Sequence, residues 1–388
     1  MAPTITALQY YGPKDVRLER VLSRYVFIPF ALPCHPDEVR VQVAYCGICG
    51  SDIHEYLGGP IFSPPAGEKN PYTGAELPVT LGHEMSGTII EIGSSVSDPK
   101  LQIGTRVAVN PALNDRHHGV DPCTACQLGL PNICKRYTSY GFSAAGGGLA
   151  SEIVVKHYAC IPLLDSVSLE VGALMEPLAV AWHCIRISGF QKGQTALILG
   201  AGPIGLAILM LLRVWGAKTI VISELTASRK QMAKDFGADL IVDPTENTDP
   251  KDGLDPVVVA TQEAVKADGA DVTFECTGIQ TTLDTAMAAT RPGGVVFNVA
   301  IHERPLMVNL NDVTLGERRL TGGICYTEED FRGLIAALEA RSFPAEKLIT
   351  SIVDLEDVID KGLLELIHNK AAHVKILVKP NQARPSRL

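Results

Sequence analysis

A glycine-rich turn between two apolar segments constrains the fold of this chain more than any other feature. The turn follows an apolar run at residues 194–199 and precedes a second apolar run, of helical character, at residues 203–215. Its glycines match the pattern G-x-G-x-x-G, which allows a tight turn and a close approach of the backbone to a pyrophosphate. The predicted cofactor contacts of the turn are Gly200, Gly202, Pro203, Ile204 and Gly205.

An acidic residue strengthens this interpretation, because a glycine-rich turn alone also occurs in unrelated proteins. Glu224 follows the next predicted strand and lies 19 positions after Gly205. A carboxylate there accepts hydrogen bonds from both ribose hydroxyls and repels a 2′-phosphate, which predicts NAD rather than NADP as the cofactor. Arg229 is placed to approach the adenosine and keeps NADP open, and the alternative role for Glu224 is a solvated helix cap.

The pattern along the chain predicts two domains, as expected for 388 residues. Up to about residue 164, short β-branched runs such as 38–44 and 88–93 alternate with Gly, Pro and Asp, which indicates an irregular β-rich domain. Strands then alternate with helices, which indicates a doubly wound parallel sheet and an α/β fold class. The predicted elements of this sheet are strands 194–199, 219–223, 271–275 and 294–299 and helices 203–215 and 227–236.

A final apolar strand at residues 373–378 is expected to return to the first domain. The predicted boundaries are 1–176 for the first domain, 177–323 for the dinucleotide-binding domain and 324–388 for the returning part of the first domain.

Composition excludes several classes of function. The net charge of -9 and the absence of long Lys and Arg runs argue against nucleic acid as a partner and favour a small-molecule substrate. No apolar run approaches the ~20 residues that span a bilayer, so no membrane partner is predicted and a cytoplasmic protein is expected. The last three residues, Ser386, Arg387 and Leu388, are similar to a peroxisomal import signal and keep that compartment open.

One apolar stretch, residues 21–32, does not fit the rest of the first domain, where a short Pro-rich connection is expected. Three interpretations are open: a membrane- or partner-contacting loop, a local insertion packed on the surface, or translated non-coding sequence. The last two are favoured.

Two glycine-flanked segments, residues 46–54 and 81–87, contain donors suited to a zinc ion. Catalytic zinc usually takes three protein ligands and leaves one position open. Cys49, His83 and a carboxylate meet this requirement, with Glu84 and Glu176 as the candidate carboxylates, which we expect to exchange as substrate enters. Taken singly, a buried cysteine or a core histidine explains each residue equally well.

A second cluster of thiols predicts a structural zinc lobe. It consists of Cys123, Cys126 and Cys134. A fourth donor is missing, since a regular spacing places it at Val120. The candidates for this donor are His117, His118 and Asp121, and the alternative is three free thiols.

Together these residues resemble the medium-chain zinc-dependent alcohol dehydrogenases. Their signature, G-H-E-x2-G-x5-G-x2-V, is met by Gly82, His83, Glu84, Gly87, Gly93 and Val96. Residues 49–54, 176–180 and 274–278 look like the polyol branch of that family, which includes sorbitol, threonine and butanediol dehydrogenases. Residues 54–62 and 82–87 look closer still to fungal (R,R)-butanediol dehydrogenases.

The resemblance implies a GroES-like first domain, a Rossmann second domain, zinc, NAD, and a homodimer or homotetramer. It also implies that Cys49 rather than Cys46 is the metal thiolate, because Gly-Ser-Asp follows Cys49. The chain departs from the family in the 21–32 stretch and at Val120.

The resemblance implies oxidation of a small secondary alcohol or vicinal diol, most closely (R,R)-2,3-butanediol to acetoin. Zinc lowers the pKa of the bound hydroxyl, and Ser51 takes its proton and passes it through the cofactor ribose towards His54 and solvent, with Glu84 at the metal. The alternatives are sorbitol, xylitol, threonine or a dedicated secondary-metabolite alcohol as substrate, a zinc-free quinone or enone reductase, and a catalytically silent dinucleotide-binding protein.

Overall fold

The structure, a computed structural model, describes residues 4–22, 34–246, 255–302 and 304–381. Two compact units make up the chain, one formed by Met1–Glu176 and Ala345–Leu388 and the other by Pro177–Pro344. Among the described residues, no helix has both the length and the apolar character that crossing a bilayer requires.

The described residues form eighteen strands and twelve α-helices, together with short 3-10 and π-helical turns. The strands are β1 (Thr4–Gly12), β2 (Asp15–Leu22), β3 (Glu38–Gly47), β4 (Val79–Thr80), β5 (Glu84–Ile92), β6 (Arg106–Val109), β7 (Ala112–Leu113), β8 (Thr138–Ser139), β9 (Glu152–Lys156), β10 (Cys160–Pro162), β11 (Thr195–Leu199), β12 (Thr219–Ser223), β13 (Leu240–Val242), β14 (Ala270–Glu275), β15 (Thr290–Asn298), β16 (Arg319–Gly322), β17 (Ile349–Asp354) and β18 (Lys375–Lys379). The helices are α1 (Gly50–Gly58), α2 (Asp115–His118), α3 (Thr124–Gln127), α4 (Leu169–Ala173), α5 (Met175–Ser188), α6 (Pro203–Val214), α7 (Ala227–Asp235), α8 (Pro256–Val265), α9 (Gln280–Ala289), α10 (Leu310–Gly316), α11 (Glu328–Glu339) and α12 (Glu365–His368).

A seven-stranded sheet forms the centre of the first unit, in the order β10-β6-β5-β3-β18-β17 with β9 also paired to β3. Alternate residues of β3, Val39, Val41 and Val43, are fully buried in its core, as the two-residue period of a strand dictates. At the end of β3, Gly47 lies opposite Glu84 of β5 and opposite Leu377 of β18. This register brings residues from three distant parts of the sequence to one point.

The second unit contains a six-stranded parallel sheet in the order β13-β12-β11-β14-β15-β16. All five residues of β11 are buried, because helices cover both faces of a parallel sheet and its strands become continuously apolar. The strand order reverses at β11, which pairs with β12 on one side and β14 on the other. Ligands of such sheets bind beyond the carboxyl end of the strand at this reversal, where the glycine-rich turn lies.

The segment that returns to the first unit begins at Ala345, later than the predicted residue 324. Helix α11 remains in the second unit because a buried polar network joins it to α5. Asp330 of α11 lies 2.8 Å from His183 Nδ1 and accepts a 2.7 Å hydrogen bond from Arg186 Nε. The returning strand β18 pairs antiparallel with β3.

Two of the expectations from sequence lie outside the described residues. Of the 21–32 stretch, only Val21 and Leu22 are described, and they end strand β2. Residues 386–388 also lie outside the described ranges.

Candidate metal and dinucleotide sites

Three candidate metal donors meet at one end of the central strands β3 and β5 of the main sheet in the first unit. Cys49 caps the N-terminus of α1, His83 immediately precedes β5, and Glu84 is the first residue of β5. One ligand atom from each of the three lies within 4.8 Å of the others. A thiol, an imidazole and a carboxylate in this arrangement suit zinc with an open fourth position.

Cys46 is fully buried at the end of β3, and its thiol faces the Gly47 carbonyl oxygen at 3.6 Å. Burial raises the pKa of the Cys46 thiol well above its usual value. Among the described residues the metal-donor group contains Cys49 instead, which supports the choice made from the family pattern.

The imidazole of His83 is held by residues of α1. Asp52 Oδ1 lies 3.6 Å from His83 Nδ1, and Asp52 Oδ2 accepts a 2.9 Å hydrogen bond from the Cys49 amide. Ser51 Oγ lies 3.2 Å from the other ring nitrogen, Nε2. Burial alone would lower the pKa of His83, but the Asp52 carboxylate and the Cys49 thiol raise it well above its ordinary value.

Asp52 therefore lies on the Nδ1 side of the imidazole, and Ser51 lies on its Nε2 side. A carboxylate beside one ring nitrogen is a common way of orienting a metal-binding histidine. Sequence reasoning did not select Asp52. The available signal was its position three residues after Cys49, the N-cap of α1, where an acid caps a helix.

A second residue that sequence reasoning missed is Lys375 of β18. Its ammonium lies 2.6 Å from both carboxylate oxygens of Glu84 and 3.2 Å from the Ile48 carbonyl oxygen. Burial alone would lower the pKa of Lys375, but the Glu84 carboxylate reverses that effect and raises it. A side chain at Gly47 would occupy the space of Glu84 Oε2, since its Cβ would lie 2.0 Å from that oxygen.

The structure places Glu84 rather than Glu176 beside Cys49 and His83. Glu176 lies in the first turn of α5 and is outside the described group of donors that reach one another. Its charge contributes to the raised pKa of Lys375. His54 is exposed on α1, three residues after Ser51 and on the same side of the helix.

Beside the three thiols of the predicted zinc lobe lies an acidic residue that is not among the three expected fourth donors. Asp115, at the start of α2, accompanies the thiols, and ligand atoms of all four residues lie within 4.8 Å of one another. The three expected donors make other contacts or face solvent: His117 Nδ1 accepts from the Asn114 amide, His118 Nε2 lies 3.0 Å from the Arg136 carbonyl oxygen, and Asp121 is exposed.

In the second unit, the glycine-rich turn has the shape that a pyrophosphate requires. Gly200 has a φ of +95°, a conformation that other residues rarely adopt. A Cβ at Gly205 would lie 2.0 Å from the Gly200 carbonyl oxygen, whereas a Cβ at Gly202 would meet no atom within 4 Å. The open side at Gly202, which precedes Pro203 and Ile204 at the start of α6, is the space that a phosphate group would fill.

The carboxylate of Glu224 is fixed beside this turn and is buried rather than solvated. Its Oε2 accepts a 2.7 Å hydrogen bond from the Ala201 amide, and its Oε1 accepts from the Leu225 and Thr226 amides at 2.9 and 2.8 Å. Arg229 lies in the first turn of α7 and is partly buried. Through these hydrogen bonds Glu224 connects the glycine-rich turn to the residues that follow β12.

Comparison with known proteins gives consistent results for both units. The alcohol dehydrogenase GroES-like domain matches residues 35–165, and the zinc-binding dehydrogenase domain matches residues 203–340. (R,R)-Butanediol dehydrogenase of Saccharomyces cerevisiae is 39% identical, over 89% of this chain and 92% of that protein.

Solved structures agree with these matches. The crystal structure of 2R,3R-butanediol dehydrogenase from Bacillus subtilis has a TM-score of 0.85 and 35% identity, covering 97% of this chain and 100% of that chain. A Sinorhizobium meliloti 1021 protein whose structure is bound to NADP has a TM-score of 0.81 and 28% identity, covering 97% of this chain and 100% of that chain.

Proposed function

Because the chain belongs to the family of zinc-binding dehydrogenases with an alcohol dehydrogenase GroES-like domain, we propose that it transfers hydride between NAD and a small vicinal diol, most closely (R,R)-2,3-butanediol and acetoin. The observation that carries this proposal is the convergence of Cys49, His83 and Glu84 with the Ser51 hydroxyl beside them. The relatives named as butanediol dehydrogenases support the choice of substrate.

When bound, zinc would supply Lewis acidity that lowers the pKa of the alcohol hydroxyl, and NAD would supply the hydride acceptor. Cys49, His83 and Glu84 would hold the metal. Lys375 offsets the charge of Glu84, so that a second anionic donor beside the Cys49 thiolate is tolerated in a buried position. Asp52 keeps the imidazole of His83 in orientation.

Ser51 is the group that receives the substrate proton. Its hydroxyl lies 3.2 Å from His83 Nε2, which cannot accept a hydrogen bond once it is a metal ligand. Ser51 Oγ is then available to accept a proton from the substrate hydroxyl while its own proton passes on. The exposed His54 imidazole, on the same side of α1, delivers that proton to solvent.

The Glu224 carboxylate supports NAD as the preferred cofactor. It is buried and anchored by three backbone amides, so a 2′-phosphate at the same position would meet a negative charge that cannot move away. The NADP-bound relative makes this a point to test directly.

The proposal is tested by initial rates of NAD reduction with (R,R)-, meso- and (S,S)-butanediol, sorbitol, xylitol and threonine, using protein loaded with zinc. We expect the highest kcat/KM with the (R,R) or meso diol, and a value at least about tenfold lower with each polyol and with threonine. A kcat/KM with sorbitol or threonine equal to or greater than that with the diols would contradict the substrate assignment. A Cys49→Ala variant that keeps the full activity of the wild type would contradict the metal assignment.

We propose a homodimer or homotetramer for the assembly. Strand β16 is the edge of the parallel sheet in the second unit, and all four of its residues are exposed. Leu310 and Leu315 of the adjacent helix α10 are 70% and 85% exposed. Unpaired backbone groups beside exposed leucines favour pairing with a second copy. Light scattering on the purified chain tests this, and a monomer at micromolar concentration would contradict it.

A further inference from the structure

We propose that Asp115 is the fourth ligand of the zinc ion in the lobe, which makes it a site of three thiolates and one carboxylate. The cluster comprises Asp115, Cys123, Cys126 and Cys134, whose ligand atoms all lie within 4.8 Å of one another. Asp115 is 1% exposed, and its Oδ1 contacts the Arg136 guanidinium; a carboxylate buried beside three thiols suits a site that also holds a metal cation.

The sulfur positions match tetrahedral zinc better than they match a disulfide. Cys123 Sγ and Cys134 Sγ are 3.9 Å apart. Two thiolates at about 2.3 Å from a tetrahedral zinc ion are expected to lie roughly 3.8 Å from each other. A disulfide requires about 2.05 Å, so these thiols are not arranged as an oxidised pair.

Backbone amides are directed at two of the sulfur atoms. The Lys135 amide donates to Cys123 Sγ at 3.5 Å, and the Arg136 amide donates to Cys134 Sγ at 3.3 Å. Donors of this kind stabilise a sulfur atom that carries negative charge, as a metal-bound thiolate does. They are part of the loop between the last cysteine of the cluster and strand β8.

The carboxylate of Asp115 is oriented by two further contacts. Arg136 Nη1 lies 2.8 Å from Oδ1, and the Cys123 amide donates to Oδ2 at 2.6 Å. Each oxygen keeps an unused lone pair, so either can bind a metal without losing its contact. Four anionic donors around a divalent ion leave an excess of negative charge, which the Arg136 guanidinium partly offsets.

The local backbone explains why the donor is displaced from the regular cysteine position at Val120. The short helix α2 places Asp115 at its start and ends at Gly119, whose φ of +65° reverses the chain. This turn leads the chain back so that the Cys123 amide reaches the Asp115 side chain. Val120 itself is 37% exposed, and its side chain has no atom that can bind a metal.

The test is metal analysis of the whole protein, independent of its activity. In a Cys49→Ala variant, which removes a donor from the other site, we expect one zinc ion per chain. X-ray absorption at the zinc edge should show three sulfur atoms at about 2.3 Å and one oxygen at about 2.0 to 2.2 Å. This measurement leaves Asp115 intact and does not depend on how an altered lobe folds.

Two further variants in the Cys49→Ala background identify the ligand. Asp115→Ala should lose the remaining zinc or release it to a chelator at least about tenfold more readily. The matched control, Asp121→Asn, changes the exposed acid nearby and should retain the zinc. Three outcomes would each overturn the proposal. The Asp115→Ala variant could hold zinc as well as its Cys49→Ala parent, the X-ray absorption spectrum could show an imidazole ligand, or the Cys49→Ala parent could contain no zinc.

Discussion

At the scale of single residues, the metal pocket of the first unit depends on buried side chains of opposite charge. Glu84 is fully buried and Lys375 is 4% exposed, so each is tolerated only because the other is present. Asp52 is also fully buried, and its Oδ1 lies 3.6 Å from His83 Nδ1. Sequence motifs identified the donors Cys49 and His83, whereas Lys375 and Asp52 became apparent only from their contacts.

Replacement of Ser51 by alanine should lower kcat by about 100-fold, because general acid–base catalysis contributes a factor of this size, while the zinc content stays unchanged. Ser51→Thr retains the hydroxyl and is the matched control. The measurement is kcat as a function of pH together with metal analysis. Full turnover in the alanine variant would remove Ser51 from the mechanism.

Replacement of Lys375 by methionine leaves Glu84 buried without its cation, and we expect a loss of about 3 kcal/mol in the free energy of unfolding of the metal-free first unit. The double variant Glu84→Gln/Lys375→Met should recover much of this loss. Urea unfolding followed by far-UV circular dichroism measures it. Both tryptophans, Trp182 and Trp215, lie in the second unit, so an unchanged fluorescence transition is the internal control.

Replacement of Glu224 by glutamine keeps the size of the side chain but removes its charge. We expect kcat/KM for NAD to fall about tenfold and the preference for NAD over NADP to shrink by a similar factor, because the 2′-phosphate no longer meets a negative charge. Steady-state kinetics with both cofactors measures this. A preference that the substitution leaves unchanged would show that another residue discriminates between the cofactors.

At the scale of elements, periodicity predicted the parallel sheet closely. Strand β12 has the predicted bounds 219–223, and the predicted helix 203–215 is α6 with one residue fewer. Such segments are predictable because buried parallel strands and their helices have regular apolar patterns. The predicted boundary at residue 323 was wrong, because α11 belongs to the second unit. The contact that joins α11 to this unit is a buried polar network, which leaves no periodic apolar pattern in the sequence.

That network predicts a pH-dependent stability of the second unit. Burial alone would raise the pKa of Asp330, but hydrogen bonds from His183, Arg186 and the Thr327 amide lower it well below its ordinary value. A lowered pKa stabilises the folded state fully above the unfolded pKa of about 4, and this stabilisation is lost as the pH falls below it.

Asp330→Asn should therefore lower the free energy of unfolding by about 3 kcal/mol at pH 7, and the difference from the wild type should narrow below about pH 4. Glu329→Gln, which alters an exposed partner of Arg186, should cost less than about 1 kcal/mol. Tryptophan fluorescence during urea unfolding measures both. A difference independent of pH would mean that Asp330 acts through packing rather than charge.

At the scale of the whole molecule, the chain assigns metal binding to one unit and the dinucleotide turn to the other. The order of motifs along the sequence was enough to predict both, together with the family. The position of Asp115 beside the thiols of the lobe was not predictable in this way, since it depends on the turn at Gly119 rather than on spacing. Side chains that lie outside the sequence motifs, such as Lys375 and Asp115, could be placed beside the candidate sites only from the three-dimensional structure.

Because the chain returns to its first unit, that unit can be completed only after the second unit has been synthesised. Lys375 is separated from Glu84 by 291 positions, and the whole second unit lies between them. At bacterial or eukaryotic elongation rates, roughly 15 to 60 s elapse between the synthesis of the two residues. Throughout that interval the nascent first unit carries a carboxylate without its counter-ion and a sheet without β18. The metal pocket therefore reaches its final form only after β18 has been synthesised.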